Sequence, residues 1–382
     1  MTRPRFLPLL IVLFIGSGGA ALIYEIVWLQ LLQLTMGSTA VSMAVLLGTF
    51  MGGMCTGSLA LPRAVSGRTH PLRVYAVLEL LSAIFGVAVL HALPLVSRLP
   101  RVAASVVCLL PPAIAMGATL PAITRWVRGP YAGILYGANV AGAVLGCLTA
   151  GFWLLRFFDM AVASYAAAAL NVALAAVALV LSSIEKGDPA HEETSVHRPR
   201  DAEVYLAIGL SGLSALAAEA VWTRLLSLTL GPTVYTFSII LAVFLAGMGI
   251  GSWMAGAHRR EAARNRALLA WSQAGLIPAI AWAAWAIADW LPSWDKDLST
   301  AADPWRIFLF DLGCCAVAIL PSAILWGLSF PLALGTVDGS PEAGSREVGE
   351  LYAANTLGAI SGAIGFSILA VPLLGSGGAE RL

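Results

Sequence analysis

The chain has 382 residues, 59% of them hydrophobic and only 11% charged, and its net charge is +1. A soluble domain carries about 25% charged residues, so this chain has too little charge to coat a globule in water. The near-zero net charge also argues against bulk nucleic-acid binding.

The sequence opens with "MTRPRFLPLLIVLFIGSGG", a basic start followed by an apolar run that continues to about residue 34 without a clear small-residue cleavage site. It reads as a retained first helix that also serves as the targeting signal. Eleven apolar runs of bilayer-spanning length follow one another, at 6–35, 40–62, 73–96, 101–126, 131–155, 159–183, 203–230, 234–256, 266–291, 306–335 and 348–374. Lone strands would leave backbone groups unpaired in lipid, and the runs are too long for barrel strands. The expected fold class is therefore an all-α polytopic membrane protein.

Placing the N-terminus in the cytoplasm puts fifteen Lys and Arg residues on the inner segments. The outer segments then hold six, namely Arg98, Arg101, Arg156, Lys296, Arg306 and Arg381. The positive-inside bias supports this orientation, in an inner (cytoplasmic) membrane. The polar stretch "IEKGDPAHEETSVHRPRDAE" becomes a cytoplasmic linker, residues 185–202, between an N-terminal bundle at 1–184 and a C-terminal bundle at 203–382. Within it, His191, Glu192, Glu193 and His197 read as a solvated linker rather than a metal site. The outer loop at 289–306 is acidic and Trp-rich, as a membrane-interface segment is. Cys55, Cys108, Cys147, Cys314 and Cys315 lie in apolar runs without metal-ligand spacing. No metal or cofactor is expected.

The halves repeat. At an offset of 194, Ser17-Gly18 matches Ser211-Gly212, Glu25 matches Glu219, Val27-Trp28 matches Val221-Trp222, and Gly53 and Gly57 match Gly247 and Gly251. Further on, "PPAIAMGATLP" (111–121) matches "PSAILWGLSFP" (321–331), and "YGANVAGAVLG" (136–146) matches "YAANTLGAISG" (352–362). Six spans separate the copies, so both enter the membrane in the same direction. Two parallel repeats, related by an axis along the membrane normal, are the plan of the two major-facilitator halves. The first repeat has six spans and the second shows five. Either the chain ends after eleven spans, or it is part of a longer polypeptide with a sixth span in its second half; the second option is preferred.

"SGGAALIYEIVWLQLL", "GTFMGGMCTGS", "MGATLP" and "LYAANTLGAISGAIGF" resemble the membrane part of the fused major-facilitator/spermidine-synthase-like proteins. That resemblance implies a membrane module associated with polyamine-like chemistry, with a cytosolic spermidine-synthase-like domain as partner. The chain carries no strand followed by GxGxxG. It also shows no catalytic Ser/His/Asp set, zinc motif or P-loop. Aminopropyl transfer would therefore reside elsewhere, and the chain itself is not expected to be an enzyme.

Glu25 and Glu219 stand within apolar spans, where a charge costs about 2.5–3.5 kcal/mol on insertion scales and usually faces a bundle interior or cavity. Matching positions in parallel repeats would face each other across the pseudo-axis. That suits a cation such as a protonated amine, or a proton relay. The alternative is a polar lock between helices, with Arg224 as a partner for Glu25. Glu79 aligns with Gln273, and both are candidates for substrate or proton contact or for interhelical hydrogen bonding. Tyr136 and Asn139 share one helical face, as do Tyr352 and Asn355. They bind either solute or a neighbouring helix. Trp28 and Trp222 offer aromatic walls for an amine or fill the core. The paired GxxxG spacings read as close-packing devices.

Three functions remain open from the sequence. One is a transporter or binding module for an amine-like solute. Another is a non-transporting membrane anchor for a spermidine-synthase-like or other partner enzyme. The third is an enzyme active at the membrane, which would need a further domain on the same or another chain.

Overall fold

Apolar runs that must satisfy their own backbone groups in lipid form helices. The computed structural model describes residues 6–37, 39–64, 69–95, 100–124, 131–184, 201–231, 233–256, 261–293, 304–337 and 345–370, with residues 373, 375 and 378. The described residues form helices and short turns, without strands. The helices are α1 (Leu7–Met36), α2 (Thr39–Ala64), α3 (Pro71–Leu95), α4 (Arg101–Thr124), α5 (Tyr131–Thr149), α6 (Met160–Ile184), α7 (Ala202–Leu230), α8 (Val234–Gly256), α9 (Ala262–Trp285), α10 (Pro304–Val337) and α11 (Ser345–Ile364). Among the described residues, eleven helical stretches are long and apolar enough to cross a membrane. Most of the linker at 185–202, with its His and Glu residues, lies outside the described residues, as does most of the outer loop.

The packing pairs repeat between the halves. Helix α1 lies along α5, as α7 lies along α11, and α2 lies along α4, as α8 lies along α10. Helices α3 and α9 flank α4 and α10. The halves meet along two seams, α5 against α8 and α2 against α11, which are each other's counterparts under the repeat. A continuous apolar core crosses these seams, with Leu47, Phe50 and Cys147 in one half and Ile240, Phe244 and Ala359 in the other. Both halves thus use the same helix pairings and meet along matched seams.

Small residues explain the close helix pairs within each half. A Cβ on Gly142 would strike the Ile15 carbonyl, and one on Gly358 would strike the Gly209 carbonyl, at matching places in the two repeats. Gly57 against Ile114 and Gly251 against Ile324 form a second matched pair. The GxxxG spacings thus sit where backbones touch. Gly37 and Gly231, also matched, end α1 and α7 with positive φ angles of 70° and 101°, a region that glycine enters without steric cost.

The structure differs from the sequence expectation at the helix ends. Helix α5 continues through a π-turn at Ala150–Leu154, and α11 through one at Gly365–Ala370. The two sit at the same place in the repeat. Helix α9 begins at Ala262, four residues before the expected start, and ends in a π-turn at Ala286–Trp290. An i→i+5 turn leaves no mark in hydrophobic periodicity.

Candidate functional site

Glu25 lies in the later part of α1 and Glu219 at the matching place in α7. Both are buried, at 4% and 6% exposure. They lie within electrostatic range of each other, and Cys147 of α5 is within range of both. Each repeat therefore buries one carboxyl group in the interior, within electrostatic range of the other. No hydrogen bond or ion pair engages either carboxyl among the described residues, so nothing there locks it to a neighbouring helix.

Arg224 does not join them. It is exposed and forms no ion pair with either glutamate. Five residues from Glu219 correspond to about 500° of helix rotation, which turns Arg224 about 140° away from the acid's face.

Trp28 and Trp222 flank the acids from inside the core. Trp28 stacks on Tyr24 at 5.4 Å and meets Phe50 edge-on at 6.3 Å. Trp222 lies 5.6 Å from Trp326, whose indole N–H donates to Ser214 Oγ at 3.0 Å. Both tryptophans are wholly buried and pack as core.

Asn139 and Asn355 sit at the α1·α5 and α7·α11 crossings. The Asn139 side-chain N–H donates to the Phe14 carbonyl at 3.4 Å, and Asn355 faces Gly212 in the matching place. Asn139 thus bridges α5 to α1, while Asn355 packs against α7. Tyr136 and Tyr352 approach each other across the halves, with Cys55 of α2 and Thr356 of α11 beside Tyr352. They lie one helical turn from the asparagines and apart from the two glutamates.

Glu79 and Gln273 part company. Glu79 is buried at 1% exposure and accepts the Ser17 hydroxyl at 2.6 Å. Gln273 is half-buried, and its amide donates to Ser329 Oγ at 2.8 Å. Of the candidates, the structure gathers Glu25, Glu219 and the neighbouring tryptophans. It leaves Arg224 outside and sets Glu79 in a separate cluster. Sequence reasoning missed Cys147 beside the acids, and Ser17 and Tyr75 beside Glu79. A polar stripe at i, i+4 and i+7 (Tyr75, Glu79, Ser82) on an otherwise apolar helix was the available signal. Among the described residues there is no group of three or more His, Cys, Asp or Glu side chains placed to hold a metal ion.

No family model and no curated protein matches the sequence. The fold resembles a solved bacterial homologue of the human lysosomal transporter Spinster, captured inward-facing and unoccupied. The likeness has a TM-score of 0.52 and 13% identity, and it covers 98% of this chain and 84% of that one. At that identity the likeness establishes the fold.

Proposed function

We propose that this chain is a membrane transporter in which Glu25 and Glu219 jointly hold a cation, either a protonated amine or a proton. The observation that carries this reading is the pairing itself. Two buried carboxyl groups, one from each repeat, lie within electrostatic range, and among the described residues no cationic side chain is paired with either. Like charges in a poorly screened interior repel strongly, so the space between them favours a positive guest. Sites at the interface of repeats, near the middle of the membrane, are where transporters of this plan bind solute. The solved neighbour is itself named a transporter homologue. Polyamines are the first solutes to try, on the strength of the SGGAALIYEIVW resemblance. The orientation proposed is N-terminus inside, in a cytoplasmic membrane, from the distribution of Lys and Arg.

The test is uptake of labelled putrescine and spermidine into proteoliposomes. Wild type should accumulate label, while Glu25→Gln and Glu219→Gln should each lose tenfold or more. Absence of uptake and of amine binding by wild type would refute amine transport and favour the membrane-anchor reading.

A further inference from the structure

The first bundle holds a third buried carboxyl, and the second bundle does not copy its surroundings. Glu79 lies on α3, facing α1. Ser17 of α1 donates its hydroxyl to Glu79 Oε1 at 2.6 Å. Tyr75, one turn before Glu79, donates its hydroxyl to the Leu13 carbonyl at 3.2 Å and stands beside the Glu79 carboxyl. That hydroxyl has one hydrogen for two acceptors. When the hydrogen goes to Leu13, as it does in this structure, and the Ser17 hydrogen goes to Glu79, the Tyr75 oxygen can only accept, so a hydrogen bond between it and Glu79 requires a proton on the carboxyl. If Glu79 is ionised, the Tyr75 hydroxyl turns to it and leaves the Leu13 carbonyl. Both arrangements are satisfied locally, and they differ by one proton.

Tyr24 adds an independent mark. It follows Ser17 by two turns of α1, its ring presses on Gly86 two turns beyond Glu79, and its hydroxyl lies in the electrostatic field of Glu79. That hydroxyl is fully buried and has no hydrogen-bond partner among the described residues. Ser82, one turn beyond Glu79, likewise has a buried hydroxyl without a partner. A buried polar group without a partner is costly and calls for a reason. In the second bundle the matching positions are Ala218, Leu269, Gln273 and Leu276, and only Ser211 retains the serine. The set is complete in one repeat, while in the other only the serine is kept and the acid is replaced by an amide.

Among the described residues no cation is paired with Glu79, and Arg73, six residues earlier on α3, forms no ion pair with it. Its packing neighbours are α1, α4 and α6. On α1 the one charged residue is Glu25, which has no electrostatic contact with Glu79. On α4 the one charge is Arg101, at its first residue, and α6 carries none. On α6, Tyr165 is engaged with His91 of α3 at 3.0 Å, three turns beyond Glu79.

We infer that Glu79, Ser17 and Tyr75, with Tyr24 beside them, form a proton-binding site in the first bundle, separate from the central glutamates, at which Glu79 takes up and releases one proton. Uptake forms an O–H bond on the carboxylate and frees the Tyr75 hydroxyl for the Leu13 carbonyl. Release reverses both steps, and the proton returns to water. The site stands whether or not the chain carries an amine.

Infrared difference spectroscopy of the full chain in nanodiscs reads the carbonyl stretch of a protonated carboxyl directly. A band that shrinks as pH rises is expected in wild type. It should persist in the Glu25→Gln/Glu219→Gln double variant and vanish in Glu79→Gln, which installs the side chain found at the matching place in the second bundle. Ser17→Ala and Tyr75→Phe should each shift its frequency. These two variants keep the carboxyl and carry the test if Glu79→Gln fails to fold. A titrating band indifferent to Glu79→Gln would overturn the proposal. So would a Glu79 band of constant size at every pH where the protein stays folded, or one unmoved by both Ser17→Ala and Tyr75→Phe.

Discussion

The seam of α1 with α5 and the seam of α7 with α11 use the same glycines in the same register, whereas the polar residues beside them differ as a set. Gly18, Gly142 and Gly146 face backbone as Gly212, Gly358 and Gly362 do. Beside the first seam stand Tyr24, Tyr75, Glu79 and Ser82, and at the matching places of the second bundle stand Ala218, Leu269, Gln273 and Leu276. Backbone contact admits few substitutions, because any Cβ there meets main chain that cannot move aside. Glu79, Ser17 and Tyr75 depend on one another for their polar contacts, so losing one member strands a buried partner. The two bundles thus share their mechanics and differ in their chemistry.

The harshest break in this comparison is predicted for the shared part. Gly142→Val and Gly358→Val should each cost about 3 kcal/mol or more by overpacking, and by similar amounts, as melting in detergent would show. Gly137→Ala, on the same helix as Gly142 but with open space at its Cβ, should be neutral or stabilising by up to about 1 kcal/mol. A large difference between the first two would mean that the seams are not equivalent.

The polar difference is sharpened by exchange. Gln273→Glu puts an acid where no tyrosine stands to meet it, and a loss of about 2 kcal/mol is expected. Adding Leu269→Tyr should recover part of that loss. No recovery would show that the Tyr75 hydroxyl is unimportant to Glu79. Weaker still, Asn139→Ala removes one long interhelical hydrogen bond, worth about 0.6 kcal/mol in membranes, and should move the melting temperature only slightly. The Arg266 fork to Asp201 and Glu203, at 2.6 Å to each, is exposed. Arg266→Ala should leave the melting curve unchanged, because solvent and salt screen such pairs.

The helices, the repeat and the glycine seams were legible because each is periodic or duplicated. Glu25 and Glu219 were legible as a pair because the offset of 194 aligns them and parallel repeats must then face them inward. Arg224 misled as a partner for Glu25 across the repeats, because it stands on an exposed face of α7. Ser17 and Glu79 lie 62 positions apart, on helices whose mutual rotation no apolar pattern fixes. The π-turns are a matter of hydrogen-bond register alone. The likeness to the solved transporter homologue reaches the major-facilitator part of the sequence resemblance and carries nothing about its spermidine-synthase-like part.

Equilibrium binding of labelled spermidine to the purified chain tests the central pair most directly. Saturable binding should appear in wild type and in Arg224→Ala, and it should fall tenfold or more in Glu25→Gln and in Glu219→Gln. The double variant should be little worse than either single, as for residues acting as a unit. Binding that survives in both single variants would contradict a shared cation site.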